Sequence, residues 1–137
     1  MPEARQQPYV FVVDDEEVIA STLTMILRLQ GGFRARAFTL PLDALEATRS
    51  ESPDLLISDV VMPLLSGIDL AIQVRANCPN CKVLLFSGQA STLHLLEAAR
   101  QNGHDFEVLL KPVHPADLLI KIRDLTEPER WQHSNGE

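Results

Sequence analysis

Long apolar runs are missing from this chain of 137 residues. No stretch approaches the roughly 20 apolar residues that a helix needs to cross a bilayer. The opening residues, Met1 to Pro8, are polar and lack the apolar centre of a secretory signal. A soluble, cytoplasmic protein is expected. Basic residues are also scarce: 12 Lys and Arg stand against 19 Asp and Glu, for a formal charge of -7. That balance argues against direct nucleic-acid binding, which needs a basic footprint for phosphates. Glycine is sparse, and Asp14-Asp15-Glu16-Glu17 after the first apolar run contains none. A dinucleotide or P-loop site, which needs glycine where backbone meets phosphate, is thereby disfavoured. The two cysteines form Cys78-Pro79-Asn80-Cys81. No second pair completes a zinc site. A thioredoxin-like dithiol would open a helix after a strand, whereas this pair lies between an apparent helix and an apparent strand. A plain loop is the expectation there.

What is present is ordinary globular composition, 45% hydrophobic and 23% charged, in a chain long enough for one domain with a proper core. Apolar patterning alternates between strand and helix throughout. Strands are expected near 9–14, 33–38, 55–59, 82–86 and 106–110. Helical spacing places Ile19, Leu23, Ile26 and Leu27 on one face, and Gly31-Gly32 then offers a stop. Pro41 opens a second helix of about ten residues. A third runs from about Ser66 to Asn77, a fourth near 91–101 and a fifth from about Pro115. Successive βα units imply an α/β fold with a mostly parallel sheet covered on both faces. The domain is expected over 8–126, between a flexible segment at 1–7 and a tail or linker at 127–137.

Four of the apolar runs end in polar groups. Tyr9 to Val13 leads into Asp14-Asp15, Leu55 to Ile57 through Ser58 into Asp59, Val83 to Phe86 into Ser87, and Val108 to Leu110 into Lys111. The second strand ends without a charge at Phe38-Thr39-Leu40 and is expected at an edge. The flavodoxin-like order 2-1-3-4-5 does this, and ligands in such sheets bind outside the carboxyl ends of the strands. Asp14, Asp15 and Asp59 would then crowd negative charge into one pocket. A magnesium ion is the natural compensation, because it takes oxygen ligands and needs few carboxylates. Taken alone, Asp14 and Asp15 also read as helix-capping residues. Asp59 is a candidate nucleophile toward phosphorus. Lys111 and the Ser87 hydroxyl would meet the oxygens of a transferring phosphoryl group. Taken alone, Ser87-Gly88 also reads as a turn and Lys111 as a surface charge.

The ordered set resembles the response-regulator receiver domain of bacterial two-component signalling, over Pro8 to Thr126. Val12-Val13-Asp14-Asp15-Glu16 is similar to the family's acidic-pair segment, and Asp59-Val60-Val61-Met62-Pro63 with Ser66-Gly67 to its phospho-acceptor loop. Phe86-Ser87-Gly88 resembles the hydroxyl switch, and Leu110-Lys111-Pro112 the lysine-proline segment. The resemblance implies that Asp59 accepts a phosphoryl group from a sensor histidine kinase or a histidine phosphotransfer protein. It implies magnesium on Asp15, Asp59 and the Val61 carbonyl, with Asp14 acting mainly through metal-bound water. It further implies Lys111 against the phosphoryl group, an inward rotation of Ser87 and a cis Lys111-Pro112 bond.

Its known members are switches rather than conventional enzymes, with an output partner or domain to control. A homodimer through the fourth helix, fifth strand and fifth helix is among the expected partners. One departure stands out: Val108 occupies the place, three residues before Lys111, where the family usually has a mobile aromatic. Phe106 lies two residues earlier on the same strand face and is not a substitute. Val61 and Gln89 would flank the path of an attacking water. The apolar Val61 predicts slow loss of the phosphoryl group. The alternatives are a receiver-like interaction module that is never phosphorylated, and an aspartyl-phosphate hydrolase. The hydrolase is disfavoured because position 61 is not a second carboxylate. His94, His104, His114 and His133 show no metal-ligand spacing and read as surface residues.

Overall fold

The computed structural model describes residues 7–88 and 92–126. Five strands and five helices alternate: β1 Tyr9–Val13, α1 Glu17–Leu29, β2 Arg34–Phe38, α2 Pro41–Ala47, β3 Leu55–Asp59, α3 Gly67–Asn77, β4 Lys82–Ser87, α4 Thr92–Gln101, β5 Glu107–Leu110 and α5 Pro115–Thr126. The strands form one parallel sheet in the order β2-β1-β3-β4-β5. This is the flavodoxin-like α/β arrangement, with β2 at an edge. Gln89, Trp131, His133 and the segments 1–6 and 127–137 lie outside the described residues.

Alternation along each strand divides the core in two. Val10, Val12, Leu55, Ile57, Leu84 and Phe86 turn toward α1 and α5, where Ala20, Leu27, Leu118 and Ile122 complete one layer. Phe11, Val13, Leu56, Val83 and Leu85 turn the other way, onto Ala44, Ile68, Ala71, Val74 and Ala99 of α2, α3 and α4. The central strands are apolar on both faces because both faces are covered. Among the described residues no helix is long and apolar enough to cross a membrane.

Local chemistry sets most boundaries. At the end of α1, Gly32 adopts φ 70°, and the Phe33 N–H donates to the Leu27 carbonyl at 3.0 Å. The left-handed turn that terminates a helix is thus supplied by glycine. Ser66 caps α3, its Oγ accepting from the Asp69 N–H at 3.1 Å. α2 is shorter than expected, at 7 residues. The Thr48 hydroxyl binds the Leu45 carbonyl, and the Arg49 and Ser50 N–H groups reach carbonyls three residues back. Such bonds tighten and end a helix. β5 begins at Glu107, which leaves Phe106 just outside the sheet.

Candidate functional site

The register of the sheet brings the polar strand ends together. Val13 lies opposite Ser58, so Asp14 follows β1 at the level where Asp59 ends β3. Asp59 lies opposite Phe86, and Ser87 opposite Leu110. Ser87 is therefore one residue beyond Asp59, and Lys111 one beyond Ser87. The register across the sheet gathers four strand ends, with Asp59 and Lys111 separated by 52 positions in the chain.

One carboxylate oxygen from each of Asp14, Asp15 and Asp59 lies within 4.8 Å of the others. Asp14 is buried, Asp59 half-buried and Asp15 exposed. The Asp14 side chain accepts from the Glu16 N–H at 2.9 Å, and its own N–H donates to the Phe38 carbonyl at 3.1 Å. Burial pushes the Asp14 carboxyl above its ordinary value. The Glu16 N–H opposes this, the Asp59 charge adds to it, Lys111 counters it and Asp15 adds the least. The Lys111 Nζ reaches Asp59 Oδ2 at 2.9 Å. A cluster of three carboxylates with one ammonium remains short of positive charge. Its all-oxygen donors, graded from buried to exposed, fit a hard divalent cation that keeps some of its own water.

The loop after β3 is anchored at both ends. The Val60 N–H donates to the Phe86 carbonyl at 3.0 Å, and the Gly67 N–H to the Val60 carbonyl at 2.8 Å. The buried Ser58 hydroxyl donates to the Asp59 carbonyl at 2.9 Å. Leu64 adopts φ 74° while 82% exposed, a left-handed conformation that costs a branched residue about 1–2 kcal/mol. Val61, in the same loop, is 52% exposed.

Ser87 is buried, and its hydroxyl is hydrogen-bonded to that of Thr92, itself buried at the start of α4. Its carbonyl accepts from the Lys111 N–H at 2.9 Å. The Lys111-Pro112 peptide is cis. Thr92 was not singled out from the sequence. The signal in the sequence was a hydroxyl five residues after Ser87, next to another at Ser91. On β5, Val108 is half-buried. Phe106 is held elsewhere: the Arg75 guanidinium lies 5.1 Å from its ring centre, and the His104 ring stacks on it at 6.3 Å and 11°. His104 is half-buried, while His94 and His114 are exposed. Cys78 and Cys81 are free and buried in the turn between α3 and β4, where the Cys81 N–H donates to the Cys78 carbonyl at 3.0 Å.

Residues 10–123 match the family described as the response regulator receiver domain. Among curated proteins, the phosphoglycerate transport system transcriptional regulatory protein PgtA of Salmonella typhimurium is 33% identical over 88% of this chain and 28% of its own length. The transcriptional regulatory protein CreB of Escherichia coli is 32% identical over 88% of this chain and 51% of its own length. The chain thus spans about half or less of these relatives. A response regulator receiver domain protein from Clostridium thermocellum superposes with a TM-score of 0.79 at 27% identity, covering 91% of this chain and 98% of that one.

Proposed function

The chain belongs to the response-regulator receiver family, and on that premise we propose that Asp59 is its phospho-acceptor. The donor is a phosphohistidine on a sensor kinase or a histidine phosphotransfer protein. An Asp59 carboxylate oxygen attacks phosphorus and an O–P bond forms. The P–N bond breaks, and its electron pair stays on the imidazole nitrogen, which takes up a proton. The observation that carries this reading is Lys111 Nζ at 2.9 Å from Asp59 Oδ2, beside two further carboxylates. The lysine both orients the acceptor and supplies positive charge where the transferring oxygens need it.

Asp14, Asp15, Asp59 and the Val61 carbonyl would hold Mg2+. When bound, the ion neutralises charge on the phosphoryl oxygens and on the carboxylates. Asp14, buried and accepting from a backbone N–H, acts as a fixed member of this set. Ser87 donates its hydroxyl hydrogen to the phosphoryl group once that group is in place. The apolar Val61 offers an attacking water no hydrogen bond, so the aspartyl phosphate outlives a scale of seconds. The output is read on α4, β5 and α5. The exposed Leu93, Leu110 and Ile120 support this, and a homodimer through that face belongs to the same proposal.

The deciding experiment is phosphorylation by a small-molecule phosphodonor, with and without Mg2+, on the wild type and on Asp59→Ala. Label is expected on the wild type only, and only with the metal. Label retained on Asp59→Ala, or none on the wild type, overturns the proposal.

A further inference from the structure

Ser87 lies at the carboxyl end of β4, one step along the sheet from Asp59, and its hydroxyl is already engaged. The partner is the Thr92 hydroxyl in the first turn of α4, and both groups are almost wholly shielded from water, at 1% and 3% exposure. Each hydroxyl carries one hydrogen and two acceptor sites. A phosphoryl group on Asp59 can only accept. Ser87 must therefore turn its single hydrogen toward that group. From then on, the Ser87 oxygen can only accept from Thr92, or the pair must separate. Where Ser87 is the donor of the resting pair, both outcomes change the bond made by Thr92, the residue that opens α4.

The aromatic route is closed in this chain. Val108 has no ring to swing, and Phe106 is engaged by Arg75 and His104. We propose that Thr92 is the positioning residue through which Ser87 signals: it holds the Ser87 hydroxyl before phosphorylation and passes its reorientation directly to the N-terminus of α4. This inference rests on Asp59 being the phospho-acceptor. It adds a residue that the family's motif segments do not contain, and it replaces a side-chain swing on β5 with a tether of two hydroxyls. The consequence is spatial: α4 responds first, and the Val108 side chain on β5 is a bystander. Leu93 and Leu95 are the exposed apolar groups on α4 nearest in sequence to that change.

The test uses the whole chain, with beryllofluoride and Mg2+ as a phosphoryl mimic and backbone amide NMR shifts as the readout. In the wild type, the amides of Thr92 to Leu95 should move. In Thr92→Val those shifts should be lost while Asp59 still takes label from acetyl phosphate. Thr92→Ser, which restores the hydroxyl, should recover them. Val108→Ala should keep them. The inference is overturned if Thr92→Val keeps the wild-type shifts, or if Val108→Ala abolishes them. Should Thr92→Val fail to fold, Ser87→Ala reads the same tether, and wild-type shifts in that variant overturn it equally. A wild type that labels on Asp59 without any response in α4 overturns this inference alone. A wild type that takes no label removes the phospho-acceptor reading beneath it.

Discussion

A methyl group added at Gly67 would lie 2.1 Å from the carbonyl oxygen of Asp59. Helix α3 begins there, pressed directly against the backbone of Asp59. The obstruction is backbone rather than the end of a flexible side chain, so it cannot swing aside. Alanine normally favours a helix over glycine by about 1 kcal/mol. Here that gain is outweighed, because forcing extra volume into a packed site costs about 1–3 kcal/mol. Gly67→Ala is therefore expected to lower the urea midpoint and to slow labelling of Asp59 together. A variant more stable than wild type would show that α3 can retreat.

The glycine was visible in the sequence as part of a motif, yet its reason was not. The four strand ends could be read because each follows an apolar run, and a parallel sheet brings such ends close to one level. The same logic placed β2 at the edge from the lack of a charged group after Phe38. What could not be read depends on contacts between elements. Thr92 meets Ser87 only because α4 starts beside the end of β4. Phe106 meets Arg75 on α3 and the His104 ring. Glu51 sits in a connection with no pattern of its own, and gains its role from Tyr9 and Arg36. The short α2 turns on Thr48, whose hydroxyl binds the helix backbone rather than any neighbour that periodicity reveals.

Metal should stabilise the fold through the acidic cluster. Asp14, Asp15 and Asp59 repel one another, and Lys111 pairs with Asp59. A cation that binds only the folded chain adds about 1.4 kcal/mol at ten times its dissociation constant. Raising Mg2+ is expected to raise the melting temperature of the wild type. Asp15→Asn should shrink that rise, and should itself melt higher than wild type without metal, because one repulsive charge is gone. A melting temperature indifferent to Mg2+ would remove the metal site from the account.

Tyr9 and Glu51 tie the start of β1 to the connection before β3, and Arg36 pairs with the same carboxylate. The Tyr9 hydrogen bond holds the Glu51 carboxyl below its ordinary value, burial opposes this, and Arg36 adds to the lowering. The Tyr9 phenol is pushed up, first by burial and then by Glu51. A lowered carboxyl contributes stability above its unfolded pKa of about 4.3, and that contribution is lost as pH falls through the folded value. A raised phenol contributes below its unfolded pKa of about 10, and that contribution is lost as pH rises through its higher folded value. Tyr9→Phe is expected to be less stable than wild type between these limits. The difference should narrow below pH of about 4 and above about 10. Urea midpoints measured across that range test it, and a gap independent of pH would mean that the phenol contributes by packing alone.

Cys78 and Cys81 should behave as packing residues, despite a spacing shared with redox dithiols. Both are buried, at 5% and 2% exposure, within the layer that joins α3 to the sheet. Burial, with a smaller contribution from Cys78, pushes the Cys81 thiol up to about 12. Reactive dithiols work in the opposite direction, with a thiolate favoured by nearby positive charge or a helix N-terminus. The thiolate is the attacking species, so burial lowers its population at neutral pH relative to an exposed thiol. Alkylation by iodoacetamide at pH 8 should therefore be slow on the folded chain at Cys81 and rapid in denaturant. Glutathione redox buffers should leave Asp59 labelling as it is in reductant. Alkylation of Cys81 at the free-thiol rate in the native protein would mean that the turn between α3 and β4 opens readily. In that case the pair would have to be considered as a second site of chemistry.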